Sequence, residues 1–262
     1  MQLAVIIAAA GVSSRYKAGG GLRDKLDEDL GGRPVLQRTV ELFTKRDEPR
    51  WVIVAGPHED YEDFLSRHGD KLGMLGARCC RGGRTERYET IRAALDLVPP
   101  EATHVAVHDA ARPATPVELI DRVLAAAETH AAVIPAIDVP DTIKRVGAEA
   151  RRAEVDPLDA ILGGGGRTNQ RARTVEQTVD RRNLVLVQTP QVFRADVFRR
   201  AYAQADLTST DDASLVERLG EPVVVVEGDP RNLKLTRPAD LTVIRAIMGV
   251  HGPSDRPTHK RF

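Results

Sequence analysis

A chain of 262 residues with 38 basic and 38 acidic side chains carries no formal net charge at neutral pH. This excludes a global field that would recruit nucleic acid or an anionic membrane, so any anion must be held by a local arrangement of cations. The length suits one large α/β domain with a sizeable core, and no apolar run is long enough to span a bilayer; the sequence predicts a soluble, cytoplasmic protein.

Leu3–Ala8 is an apolar run that predicts an opening strand with no charged leader before it. It feeds Ala9-Ala10-Gly11 and then a basic, glycine-rich loop through Arg15, Lys17, Arg23 and Lys25. Small residues let backbone amides approach an anion, and Arg15 with Lys25 can oppose its charge. The loop is no dinucleotide fingerprint: the second and third glycines of G-x-G-x-x-G are missing, and the next helix is expected only near Pro34. It is no P-loop either, because no lysine followed by serine or threonine closes a glycine loop.

Leu36, Val40 and Phe43 then fall on one helical stripe, followed by a strand at Trp51–Ala55. The adjacent Cys79 and Cys80 are badly placed for a disulfide and read as two reduced thiols at the end of a short strand. Gly82-Gly83 separates that strand from a helix striped by Tyr88, Ile91 and Leu95; the glycines expose backbone groups able to read a base edge, and Thr90 offers a hydroxyl one turn in. Strand His104–Val107 runs into Val107-His-Asp-Ala-Ala-Arg-Pro113, which presents Asp109 and Arg112 where open α/β sheets bind ligands. A helix striped by Ile120, Val123 and Leu124 and a strand at Ala132–Ala136 follow.

From Val139 to Arg182 the chain is polar and contains four consecutive glycines at 163–166; it predicts a projecting arm with a flexible tip at about 148–173. Thr142 and Arg181 sit at its base. Strands are expected again at Leu184–Gln188 and Val223–Glu227, with Thr189 and Thr210 in the intervening loops. Lys234 lies between Leu233 and Leu235 in a strand-like segment, an alternation that points its amine away from its neighbours. Pro238 starts the last helix, and residues 251–262 lack apolar periodicity and read as a disordered tail. Strands alternating with helices predict a mostly parallel twisted sheet with helices on both faces.

Taken in order, Ala9–Arg15, Val107–Pro113, Asp141–Lys144, Thr178–Arg181, Gln188–Phe193, Thr210–Ala213 and Asn232–Thr236 resemble the motifs of the 2-C-methyl-D-erythritol 4-phosphate cytidylyltransferase family of the non-mevalonate isoprenoid pathway. The resemblance implies a Rossmann-like nucleotidyltransferase fold over residues 1–250, with a β-arm (about 139–182) that crosses into the partner of a homodimer. It implies that CTP and methylerythritol phosphate are converted to 4-diphosphocytidyl-2-C-methyl-D-erythritol and pyrophosphate with Mg²⁺. By position it makes Arg15, Lys25 and Lys234 the catalytic cations. Ala9, Ala10, Gly11, Gly83, Thr90 and Ala110 become the CTP site, and Asp109, Arg112, Thr142, Arg181, Thr189 and Thr210 the site for the second substrate. Asp109 is also the candidate metal ligand. The family usually writes Pro-Lys where this chain has Asp24-Lys25, an extra residue stands between the glycine pair and Arg87, and the arm is longer. Competing readings are a related enzyme acting on ribitol 5-phosphate, a catalytically silent nucleotide-binding assembly module, and a dinucleotide-dependent oxidoreductase, against which the missing glycines already count.

Overall fold

A computed structural model of the chain describes residues 1–11, 13–149 and 173–252. Its strands are β1 (Leu3–Ala8), β2 (Pro49–Gly56), β3 (Ala77–Arg81), β4 (His104–Asp109), β5 (Ala132–Asp138), β6 (Ile143–Glu149), β7 (Arg173–Val179), β8 (Val185–Val187), β9 (Gln191–Arg194) and β10 (Val224–Glu227). Its helices are α1 (Ser14–Ala18), α2 (Val35–Thr44), α3 (Tyr61–Phe64), α4 (Asp70–Met74), α5 (Arg87–Leu95), α6 (Val117–Ala127), α7 (Ala195–Tyr202), α8 (Ala213–Glu217) and α9 (Pro238–Met248).

The chain divides into two compact units, Met1–Ile137 with Val187–Phe262, and Asp138–Leu186. In the first, the sheet runs in the order β10-β5-β9-β4-β1-β2-β3. β1 pairs in parallel with β2 and β4, β2 with β3, and β10 with β5, whereas β9 is antiparallel to both β4 and β5. The sheet is buried on both faces because successive residues of β1 point to opposite cores. Leu3, Val5 and Ile7 meet the stripes of α2, α6 and α9. Ala4 and Ile6 meet α5, α7 and α8. Helices on both faces are thus the means of covering a parallel sheet.

The expected strands are present, with Trp51–Ala55 extended to Pro49–Gly56, His104–Val107 extended to Asp109 and Leu184–Gln188 reduced to the exposed β8, Val185–Val187. Three expectations change. A one-turn helix, α1, precedes Pro34; it has no apolar stripe and buries only Tyr16, so periodicity gives no sign of it. Cys79 and Cys80 lie within β3, which continues to Arg81. Both thiols are free, and burial raises them, Cys80 to about 11 with help from Cys79, which leaves them poor nucleophiles. Residues 232–236 form no strand. The Leu235 amide donates to the carbonyl of Ala111, so this segment attaches to the loop after β4 instead of the sheet.

The second unit contains the antiparallel pair β6–β7, in which Lys144 faces Thr178 and its amine donates to the Thr178 hydroxyl at 2.6 Å. Arg181 donates to the carbonyls of Val139 and Pro140. Residues 150–172, with most of the predicted tip, and residues 253–262 of the predicted tail lie outside the described residues.

Candidate active site

β1 sends the chain toward β2 on one side, while β4 pairs with its other edge, so the C-terminal ends of β1 and β4 form the switch point where open α/β sheets hold ligands. Ala8 of β1 lies in register with Asp109 of β4. A cavity of about 260 Å³ opens here, lined by Ala8–Gly11, Lys25, Leu26, Gly83–Arg87, Thr90, Asp109–Ala111 and Lys234. Its lining combines the small residues Ala8–Gly11 with four cationic residues, Lys25, Arg84, Arg87 and Lys234, and two acidic ones, Glu86 and Asp109.

The glycine pair is required by close approach. A Cβ on Gly82 would stand 2.5 Å from the Gly56 carbonyl, and one on Gly83 would stand 2.1 Å from the Glu89 Cβ. The Gly82 amide donates to the Gly56 carbonyl, and the Gly82 carbonyl meets His58 Nδ1 at 2.9 Å. With those groups occupied, Gly83 is the glycine that faces the cavity. Thr90 is buried, and its hydroxyl accepts the Gly83 amide at 3.1 Å.

Asp109 is a buried carboxylate with Lys234 Nζ at 2.9 Å and Arg112 Nε at 3.3 Å. Burial alone would raise its pKa, but Lys234, Arg87 and Arg112 together hold it well below the usual carboxylate range. The Lys25 pKa is lowered as well, by burial first and the like charge of Lys234 second, which in an amine disfavours the charged form. Arg112 spends its donors inward, on Asp109 and at 2.6 Å on the Asn232 carbonyl, and burial lowers its pKa.

Beneath Asp109 runs a buried polar frame. The Thr189 hydroxyl accepts the Asp109 amide at 3.1 Å and lies 3.1 Å from His108 Nδ1, while His108 Nε2 lies 3.3 Å from the Arg112 carbonyl. Since a carbonyl only accepts, Nε2 carries the proton and Nδ1 accepts from Thr189. Asn232 closes the frame: its amide group donates to the Thr189 carbonyl, and its Oδ1 accepts from Thr115. His108 is fully buried, and burial pushes its pKa down to about 4, against the pull of Asp109. A base whose folded pKa lies below its unfolded value contributes stability in full above the unfolded pKa, near 6.5, and loses it as pH falls toward 4. We expect on the order of 3 kcal/mol to be lost across that window. Urea unfolding of the apoprotein between pH 7 and pH 4 checks this, and His108→Asn should flatten the profile.

Of the sequence-predicted residues, Ala9, Ala10, Gly11, Lys25, Gly83, Thr90, Asp109, Ala110 and Lys234 line this one cavity. Arg15, on α1, is exposed and is not among the lining residues. Arg112 and Thr189 are buried in the frame, Thr210 is exposed in the loop before α8, and Thr142 and Arg181 belong to the second unit. Sequence reasoning gave no role to Arg87, which lines the cavity from the first residue of α5. Its guanidinium meets Asp212, which is fully buried, at 2.6 Å, and the Tyr202 hydroxyl donates to the other oxygen of Asp212 at 2.5 Å. Burial alone would weaken the Arg87 charge; Asp212 and Asp109 hold its pKa above the usual arginine value.

Comparison with known proteins identifies the family. The family model described as 2-C-methyl-D-erythritol 4-phosphate cytidylyltransferase matches residues 3–156 and 166–250. A protein of that name from Frankia casuarinae is 38% identical over 255 residues, covering 97% of this chain and 84% of the relative. One from Symbiobacterium thermophilum is 39% identical, covering 94% and 92%. The crystal structure of 2-C-methyl-D-erythritol 4-phosphate cytidylyltransferase from Thermus thermophilus superposes with a TM-score of 0.69 at 31% identity, covering 95% of this chain and all of that one. The fold is therefore Rossmann-like. With the family model matching nearly the whole chain and named relatives 38% and 39% identical over 97% and 94% of it, the chain belongs to the 2-C-methyl-D-erythritol 4-phosphate cytidylyltransferase family.

Proposed function

We propose that this cavity binds CTP and that the enzyme transfers its cytidylyl group to 2-C-methyl-D-erythritol 4-phosphate in isoprenoid precursor biosynthesis. An oxygen of the methylerythritol phosphate forms a bond to the α-phosphorus of CTP. The bond from that phosphorus to the bridging oxygen of the β-phosphate breaks, and pyrophosphate leaves with the electron pair. No covalent enzyme intermediate is needed, because the obstacle is charge: one anion must approach another. The observation that carries the reading is the convergence of the Lys25 and Lys234 amines on one cavity walled by the small residues Ala8–Gly11.

In this reading Lys25 and Lys234 meet the α-phosphate, and Arg15 joins them from α1 once the nucleotide is bound. Ala9, Ala10, Gly11, Gly83, Thr90 and Ala110 surround the cytidine. Asp109 and Thr210 take the polyol phosphate, with Arg112 and Thr189 holding Asp109 in place. Thr142 and Arg181 reach the same substrate from the second subunit of a homodimer. The donor set fits a divalent cation carried mainly by the triphosphate. Asp109 is ionised at the cavity wall, and Mg²⁺ is commonly held by one or two carboxylates plus substrate phosphates. Among the described residues no cluster of three acidic, histidine or cysteine side chains would hold a metal by itself. When bound, Mg²⁺ would neutralise phosphate charge. No helix among the described residues is long and apolar enough to cross a membrane, and the balanced charge favours small anionic substrates over nucleic acid.

Pyrophosphate release from CTP, with methylerythritol phosphate and ribitol 5-phosphate as alternative acceptors, tests this function. We expect release with methylerythritol phosphate and its loss in excess EDTA. Full activity in chelator would show that the transfer needs no divalent metal, and a preference for ribitol 5-phosphate would make that polyol phosphate the acceptor.

A further inference from the structure

We propose that Asp27 and His68 are positioning residues that hold the Lys25 amine in the cavity by pinning the short turn that carries it. The inference rests on the cytidylyltransferase reading for the use made of Lys25. Its structural half stands on the turn alone.

Lys25 opens a single 3₁₀ turn, Lys25–Asp27, fixed at both ends. At the first end the Asp24 carboxylate accepts the Leu26 amide at 2.9 Å and lies 3.3 Å from the Ser13 hydroxyl. Ser13 itself sits in the left-handed region at φ 55°, a conformation that a non-glycine residue keeps only where its surroundings impose it. Asp24 stands where the family pattern has proline, so hydrogen bonds supply the constraint that a fixed φ would otherwise give.

At the second end Asp27 is gripped by two residues of one segment. His68 Nε2 lies 2.7 Å from Asp27 Oδ1, and Arg67 pairs with Oδ2 while also bonding Asp63 at 2.9 Å. His68 is only 4% exposed and belongs to a π-helical turn, Leu65–Gly69, between α3 and α4. Such a turn inserts an extra residue into the helix and is found often at functional sites. His68 rests on the ring of Phe64, centroids 5.1 Å apart, and Phe64 is wedged so closely under the end of β2 that a Cβ on Gly56 would stand 2.8 Å from its ring. The grip on Asp27 is thereby anchored to the sheet.

A lysine needs such a frame here. Its four-carbon stem is flexible, and burial together with the charge of Lys234 works against its charged amine in the cavity. Left unpinned, the turn would let the amine withdraw into water. The frame opposes this without touching substrate, so its loss should appear in kcat only while Lys25 is present.

The test has two readouts. In Asp27→Ala, hydrogen exchange at the Leu26 and Asp27 amides should quicken by about tenfold or more, as expected when local opening becomes easier, with exchange in β1 and β4 unchanged. Unchanged exchange in the turn would overturn the frame. In steady-state assays Asp27→Ala should lower kcat about tenfold in the wild-type background and not at all in a Lys25→Ala background, the non-additivity expected of residues acting through one another. Equal losses in both backgrounds would mean general damage and overturn the proposal. His68→Ala should repeat the Asp27→Ala pattern, and His68→Gln, which keeps a donor, should recover most of the activity. An enzyme with no cytidylyl transfer at all would refute the function proposed above, while the exchange result would still decide whether the turn is held as described.

Discussion

Replacing Lys234 with alanine should lower kcat by about two orders of magnitude or more while changing the KM for CTP far less, because charge on the α-phosphate grows toward the transition state. The structure sharpens this expectation. Lys234 lines the cavity and pairs with Asp109 at 2.9 Å, so its amine stands at the boundary between the buried frame and the open site. Binding of a triphosphate would give that amine a second anion, and the bond would strengthen as negative charge accumulates. The variant also removes one of three cations that keep Asp109 ionised, but Arg87 and Arg112 remain beside it. Steady-state kinetics with CTP varied decides the matter. A raised KM with an unchanged kcat would make Lys234 a simple binding residue.

Asp212→Ala should cost about 3 kcal/mol of stability, the low end for breaking a buried ion pair, since the Arg87 side chain retains 31% of its surface. The loss has two sources. Arg87 would keep its charge beside the cavity with its main partner gone, and the Tyr202 hydroxyl would be left without its acceptor in a buried position. Burial, followed by the charge of Asp212, holds the Tyr202 pKa above the usual phenol value, so the tyrosine stays a donor across the working range. Urea unfolding of the variant measures the cost. Asp212→Asn, which keeps one acceptor oxygen, should recover part of it. Equal stability of the alanine variant and the parent would show that the network is not structural.

The parallel strands were legible because burial on both faces turns them into continuous apolar runs, as in Leu3–Ala8 and Ala132–Asp138. β9 was not, because four residues pairing antiparallel between β4 and β5 leave no pattern longer than a motif. The site was legible where chemistry and position coincide in one short stretch. Asp109 sits at a strand end and Gly83 in a turn, and both face the cavity. What local sequence cannot supply is the pairing of distant segments. Arg87 and Asp212 stand 125 residues apart, and only the packing of α5 against α7 and α8 on one face of the sheet makes them partners. Arg112, expected from its motif at the substrate site, also makes contacts that the motif does not reveal: its Nε donates to Asp109 and another guanidinium nitrogen donates to the distant Asn232 carbonyl.

³¹P NMR of CTP and methylerythritol phosphate mixed with the enzyme and Mg²⁺ would follow the proposed direct cytidylyl transfer at the cavity by the C-terminal ends of β1 and β4. We expect equimolar appearance of free pyrophosphate and of a pair of coupled diphosphate resonances from 4-diphosphocytidyl-2-C-methyl-D-erythritol, both absent when methylerythritol phosphate is omitted. Release of pyrophosphate without the second substrate, or no new diphosphate resonance when both are present, would contradict it.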